Sequence, residues 1–370
     1  MKRKSLKVLL CSLISVILCL SMISTFTVAA YGEGTKYHEV RNESYGAYKF
    51  TALEGMAVAH DKSVSKSLNT IYPKEREKNK KYNPLIDGDL CAFSVKVVLT
   101  DGYKNRYARI YRTTLTKDNK KSKSQLLIPR LDSAVDKTKW GKHISSKKAF
   151  VDLLGHANDI TAIQMNGYVN LFVATGNRGN TKSKTFYNMV QLRVIGNEVF
   201  FVKGYYIKDN YGKELKPYTI TVSDNYKDGN NSVKFMVSPS VSNSEKTPVY
   251  TFKANLNNSH YRLANTTFKT SKMSYKVPFK KGYTMQSYFK NGNYFYVAYS
   301  SAGENHENMS YITRYKLSSN ELKEDSYKHL GYRDKSSKFE VESLFVVGNI
   351  VYYSVNTNEK PNDFIAGCKW

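Results

Sequence analysis

Three carboxylates, set at comparable places in a recurring pattern, are the residues of this chain best suited to chemistry. Glu54 lies in "LEGMAVA", Asp159 in "HANDITAI" and Glu342 in "EVESLFVV"; a fourth run, "TMQSYF", carries Gln286 and Ser287 at the same place. In each case a polar or small pair opens a stretch of apolar residues. Carboxylates gathered from separate segments can act as acid, as base and as a third group that tunes them, the set that cleaves glycosidic bonds. His156, Asn158 and Gln286 would then hold sugar hydroxyls. Without bond cleavage, His156, Asn158, Asp159, Gln286 and Glu342 still form a candidate ligand-binding set. Polar groups at such points also serve a fold by bonding neighbouring elements to each other. Asp159 is offset by one position from the two glutamates, which in a strand turns its side chain to the opposite face.

Other chemistry is poorly served. The sequence contains no HExxH, GxSxG, P-loop, CxxC or DxDxDG motif, so neither a metal nor a cofactor is expected. "SDNYKDGNN" at 223–231 has cation-binding residue types but lacks the spacing of a calcium loop, and reads as a turn. "KVPFKKGYTMQSYFKNGNYFY" alternates basic and aromatic residues and could clamp a sugar or a nucleic acid, or supply cross-strand pairs.

To bring such residues together, the chain needs a repeated element. Three of the four copies continue through a turn into a β-rich strand: "YVNLFVAT", "GNYFYVAYSS" and "GNIVYYSVNT". With 30 Tyr, 17 Phe and only 8 Pro, and with hairpin turns such as Asp101-Gly102, strands are expected throughout. The expected fold is all-β, a β-propeller of five blades closed by the N- and C-terminal segments, in which the first strand of each blade lines the axis. The blades are placed at Tyr45 to Leu115, Gly155 to Val202, Tyr205 to Asn255, Lys281 to Leu317 and Phe339 to Trp370, the last with strand-pairing help from the N-terminal segment.

Residues 1–30 read as an export signal: Lys2, Arg3, Lys4 and Lys7, then an apolar stretch, then Val28-Ala29-Ala30 with cleavage after Ala30. Residues 31–370 form the single propeller domain of a secreted, extracellular protein, expected to be a monomer. Cys11 and Cys19 fall in the signal. Cys91 and Cys368 remain for an oxidising compartment, where a disulfide between them would lock the ring shut; two buried thiols are the other reading. The net charge of +26 favours an anionic partner, such as teichoic acid or an anionic lipid of a bacterial envelope, over nucleic acid; it equally suits a solvated surface. The Lys-rich stretches 73–84 and 116–148 would carry that attraction.

"KFEVESLFVVGNIVYYSVNT" at 338–357, "GHANDITAI…NLFVAT" at 155–175 and "YTMQSYFKNGNYFYVAYSS" at 283–301 resemble the helveticin-J family of large secreted antibacterial proteins, the class III bacteriocins. The resemblance implies a propeller and growth inhibition of other bacteria; it supplies no catalytic residues. The leading expectation is therefore a bacteriocin-like protein that binds an anionic envelope component without covalent chemistry of its own. An extracellular propeller glycan hydrolase using the axial carboxylates and a surface adhesin or scaffold stand as alternatives.

Overall fold

The computed structural model describes residues 38–39, 55–61, 90–100, 105–115, 124–130, 153–165, 168–176, 187–222, 232–239, 246–256, 266–271, 273–301, 310–319, 321–331, 339–356 and 364–370. A two-residue strand, β1 (His38–Glu39), precedes the first blade. Blade 1 contains β2 (Gly55–His60), β3 (Leu90–Thr100), β4 (Asn105–Thr114) and β5 (Ser124–Leu126), and is followed by the short β6 (Ile128–Arg130). Blade 2 is built from β7 (Asp159–Met165), β8 (Tyr168–Ala174), β9 (Met189–Ile195) and β10 (Glu198–Lys208). Blade 3 comprises β11 (Pro217–Val222), β12 (Ser232–Pro239), β13 (Thr247–Asn255) and, beyond β14 (Thr266–Lys269), the edge strand β15 (Tyr275–Val277). Blade 4 is β16 (Tyr283–Asn291), β17 (Tyr294–Ser301), β18 (Ser310–Ser318) and β19 (Glu321–Gly331). Blade 5 has β20 (Glu340–Val347), β21 (Ile350–Asn356) and β22 (Phe364–Lys369).

The first strands of these sheets close a ring. β2 packs on β7, β7 on β11, β11 on β16, β16 on β20, and β20 returns to β2. Five sheets ordered outward from such a ring make the protein a five-bladed β-propeller. Blade 5 at the C-terminal end meets blade 1 at the N-terminal end, and this contact closes the circle.

The apolar runs are explained by burial on both faces of each blade. In β17, Phe295, Val297 and Tyr299 pack with Met236 and Val249 of blade 3, while the alternate residues Tyr296 and Ala298 join the cluster that runs through blade 5. In β8, Phe172 and Ala174 face blade 3, and Leu171 and Val173 join the cluster shared with blade 1. A strand with two buried faces reads as a continuous apolar run rather than as an alternation, which is what "LFVA" and "YFYVAY" are.

Several sequence expectations move. Tyr205 belongs to the outer strand of blade 2, so blade 3 starts at Pro217 and extends to Val277. Blade 4 runs on to Gly331 because β19 pairs antiparallel with β18. The N-terminal strand pairs parallel with β19, His38 opposite Leu330, and so extends blade 4 rather than blade 5. Outer edges are also finished by strands from elsewhere: β10 is flanked by β6 at Glu198–Phe200 and by β14 at Tyr205–Lys208, both parallel.

The expected disulfide is not formed. Cys91 on β3 and Cys368 on β22 are both buried thiols within the same apolar cluster. Closure rests on packing of β20 against β2. Arg112 ties blade 1 to blade 2 on the far side: its Nη1 donates to Asp61 at 2.7 Å and to the Gly196 carbonyl at 2.8 Å. The export signal, Glu54 and the Lys-rich stretch 73–84 lie outside the described residues, as does 116–148 apart from 124–130.

Candidate functional site at the axial mouth

The polar pairs do converge, but their two members part ways. The second member goes to the axis. Asp159, the first residue of β7, is 1 % exposed and reaches across to the other inner strands. Its Oδ2 accepts from the Ile220 amide of blade 3 at 3.1 Å and from Ser287 Oγ of blade 4 at 3.2 Å. Its Oδ1 accepts from its neighbour's amide, Ile160, at 3.0 Å, and lies 2.9 Å from Ser343 Oγ of blade 5. Ser343 Oγ also donates to the Met56 carbonyl of blade 1 at 3.0 Å. At Gly55 of blade 1, a Cβ would stand 3.0 Å from the Ile160 nitrogen and 3.1 Å from the Asp159 backbone, so any side chain there would crowd the neighbouring inner strand.

A register shift explains how one pattern sends these residues inward. The pairing of inner and second strands slips between Pro217 and Thr219, between Met285 and Ser287, and between Val341 and Ser343. Each slip is a β-bulge, which bends the strand and re-aims the side chains next to it. The bulged residues are Tyr218, Gln286 and Glu342; the residues after them are Thr219, Ser287 and Ser343. Asp159 is thus in register with Gly55, Thr219, Ser287 and Ser343, and the apparent one-residue offset from Glu54 and Glu342 is the difference between the second and first members of the pair.

Aromatic packing between blades 4 and 5 lies next to this layer. Phe289 and Phe345 lie two residues beyond Ser287 and Ser343, on the same sides of their strands, and their rings meet with centroids 4.3 Å apart. Desolvation raises the Asp159 pKa from 3.8 to about 8, against the lowering effect of the Ile220, Ser343, Ser287 and Ile160 hydrogen bonds. A carboxyl sealed this way does not touch a substrate, which removes Asp159 from the candidate catalytic and ligand-binding residues.

The first members form a collar one step nearer to solvent. Tyr218, Gln286 and Glu342 occupy it in blades 3, 4 and 5, and Asn158 precedes Asp159 in blade 2. Gln286 Nε2 donates to Glu340 Oε1 of blade 5 at 3.0 Å, and Tyr218 Oη makes a long 3.5 Å contact with Gln286 Oε1. Asn356 Nδ2 donates to Glu342 Oε1 at 3.0 Å. Glu340 and Glu342 are half-buried, Gln286 and Asn158 buried.

Asn158 Oδ1 is buried with no hydrogen-bond donor among the described residues. It lies against Gly176, where φ is +42° and a Cβ would come within 2.6 Å of it. His156 sits in the turn that leads to Asn158, its amide bonded to the Thr175 carbonyl at 2.8 Å, with Ala157 beside it at φ +54°. A non-glycine residue held at positive φ is a local cost that the surrounding packing must impose.

The connections that lead into the inner strands of blades 3 and 4 carry exposed aromatics. Tyr211, 89 % exposed, is held up by a turn in which Asp209 Oδ1 accepts from the amides of Tyr211 and Lys213, both at 2.9 Å. Phe279 is 49 % exposed in the connection from blade 3 to blade 4. Its neighbour Lys280 stands over the rings of Tyr311 at 4.3 Å, Tyr327 at 5.1 Å and Tyr299 at 5.8 Å. Burial lowers its pKa.

Of the sequence candidates, the structure places Asn158, Gln286 and Glu342 in the collar, His156 on the approach to it and Asp159 beneath it. Tyr218 was missed because its pair, Tyr218-Thr219, lacks the acidic or amide residue that marks the other copies. Glu340 stands two residues ahead of Glu342 in the strongest copy of the pattern, where the alternation of Glu340, Val341 and Glu342 was the available signal. Among the described residues, no group of three or more His, Cys, Asp or Glu is placed to hold a metal.

Together these features define an all-β, five-bladed propeller with a sealed axis and a polar mouth. No family model and no curated protein matches the chain. Solved structures share its course at very low identity. An exo-β-1,3-galactanase from Clostridium thermocellum matches with a TM-score of 0.41 at 8 % identity, over 91 % of this chain and 62 % of that one. A thermostable family-43 glycoside hydrolase matches with a TM-score of 0.43 at 9 % identity, over 88 % and 92 %. A family-43 β-1,3-galactosidase bound to galactodeoxynojirimycin matches with a TM-score of 0.44 at 7 % identity, over 91 % and 94 %. The chain thus spans less than two thirds of the galactanase. Function is argued below from the chain's own side chains.

Proposed function

We propose that the protein recognises a glycan at the axial mouth. The observation that carries this is the collar: Asn158, Tyr218, Gln286, Glu340 and Glu342 present amide, phenol and carboxylate groups from four adjoining blades to one place. Amides both donate and accept, and carboxylates accept from hydroxyls, so the set suits a ligand rich in hydroxyl groups. Its two carboxylates suit such a ligand better than a phosphate or another acid, whose charge they would repel. Tyr211 and Phe279, raised at the same face, offer flat apolar surfaces; aromatic walls with a few oriented polar groups are the usual make-up of a small-ligand site.

The high positive charge supports a working place beside polyanionic polymers of a bacterial envelope, with the charge concentrating the protein there and the collar choosing the sugar. Secretion as a monomer after cleavage at Ala30, and growth inhibition of the bacteriocin type, belong to this same proposal.

A second reading, glycoside hydrolysis, is favoured by Glu340 and Glu342. Both are half-buried at the mouth, on either side of Val341, where a cleaving enzyme needs an acid and a base. Asp159 takes no part in it. One titration tests both readings: purified protein against a panel of cell-wall and storage polysaccharides, following heat of binding and release of reducing sugar. Binding that Gln286→Ala weakens tenfold or more without lowering the unfolding temperature is the expected result. Release abolished by Glu340→Gln would establish hydrolysis. Absence of binding to every polysaccharide, or equal binding by the Gln286 variant, overturns the proposal.

A further inference from the structure

The hydroxyl of Ser343 has one proton and two acceptors. Its Oγ is 3.0 Å from the Met56 carbonyl and 2.9 Å from Asp159 Oδ1. The other three groups around the carboxyl, the amides of Ile160 and Ile220 and the hydroxyl of Ser287, each bring a proton to it. If the carboxylate were ionised, Ser343 would turn its proton to Oδ1, and the Met56 carbonyl would lose its bond to blade 5. A proton on Oδ1 resolves the conflict: Asp159 donates to Ser343, and Ser343 donates onward to Met56. That relay crosses from blade 2 through blade 5 to blade 1, and β20 against β2 is the seam where the first and last blades meet.

We propose that Asp159 keeps its proton in the folded protein and that this proton fastens the seam of the ring, so that alkaline conditions loosen the contact between blade 5 and blade 1. Every element packed against the carboxyl fits this assignment. From β11 comes the Ile220 amide, from β16 the Ser287 hydroxyl and the buried phenol of Tyr288, from β20 Ser343, and from β2 the backbone of Gly55 and Met56. Of the ionisable neighbours in sequence, Glu342 bonds Asn356 and Glu340 bonds Gln286, while His156 lies half-buried in the turn ahead of Asn158. No cation is among the influences on Asp159, and desolvation is the largest of them. A buried carboxyl without a counter-ion is cheaper neutral than charged.

The test uses the whole protein. Infrared spectra taken between pH 6 and 10 should show the carbonyl stretch of an un-ionised carboxyl near neutrality, when exposed carboxylates are ionised. That band should fade as the pH rises and be missing from Asp159→Asn. The unfolding temperature of the wild type should fall over the same range more steeply than that of Asp159→Asn, whose amide donates to Ser343 at every pH. Should the variant fail to fold, the wild-type band alone decides the matter. A spectrum without an un-ionised carboxyl at pH 6.5, or equal pH slopes in the two proteins, overturns the proposal.

Discussion

Two rings of residues, one position apart in sequence, meet opposite fates in this propeller. Gly55, Asp159, Thr219, Ser287 and Ser343 come together at the axis and are buried, with Asp159 bonded to Ser287 and Ser343. Asn158, Tyr218, Gln286 and Glu342, each immediately before one of these, form the collar that opens to a ligand. Small hydroxyls and a glycine are what the inner ring can accommodate, and longer amides, acids and a phenol are what the outer one needs. A carboxylate is therefore not informative by type alone: on the collar it stands half-buried among amides and a phenol, and at the axis it is enclosed by the inner strands.

Substitutions separate the two rings most sharply at the centre. Asp159→Ala leaves the Ile220 amide and the Ser287 hydroxyl without their acceptor and Ser343 without its partner on the carboxyl; with ~1–3 kcal/mol for each buried group left unsatisfied, the expected loss is several kcal/mol, measurable by denaturant unfolding. Phe289→Ala opens a cavity against Phe345 and should cost ~3–5 kcal/mol in the same assay. Gly55→Ala forces a methyl against the backbone of Asp159 and Ile160, an overpacking worth ~1–3 kcal/mol. All three act on stability; a loss of glycan binding at unchanged stability from any of them would blur the distinction.

The pH effect reaches a comparable size once it has built up over several pH units. Folding raises the Asp159 pKa from 3.8 to about 8, so the folded state holds a proton that the unfolded state releases. The stabilisation from this group is complete below about 4 and is lost as the pH climbs to about 8, with a limiting slope of ~1.4 kcal/mol per pH unit for one proton. Chemical denaturation of wild type and Asp159→Asn at pH 5, 7 and 9 measures it. The smallest effects on stability belong to the collar: Gln286→Ala and Glu340→Gln should each cost about 1 kcal/mol or less, yet reduce glycan affinity tenfold or more in calorimetry.

Much of this architecture was legible. Five blades followed from the spacing of polar pairs and apolar strands, because each blade must bury both faces and so writes the same pattern. Blade 3 was both started and ended too early because Tyr218-Thr219 resembles any stretch of strand, and its fourth strand, Tyr275–Val277, is too short to stand out. The site was half legible. Gln286 and Glu342 were found by pattern, but sequence cannot show that a bulge intervenes between Met285 and Ser287, and without the bulge the side chain that reaches the axis is misassigned. The disulfide was expected from compartment and count alone, and neither of these reports whether two buried thiols meet.

The parallel strand Thr266–Lys269, laid along β10, has a consequence for how the chain becomes a protein. It is made only after the third strand of blade 3, yet it finishes the edge of blade 2 at Tyr205–Lys208. Blade 2 therefore cannot mature as an independent module while the chain emerges; it waits for residues more than half a hundred positions downstream. The two blades are clasped like overlapping shingles, so a break in the segment between Asn255 and Thr266 should unsettle blade 2 as well as blade 3.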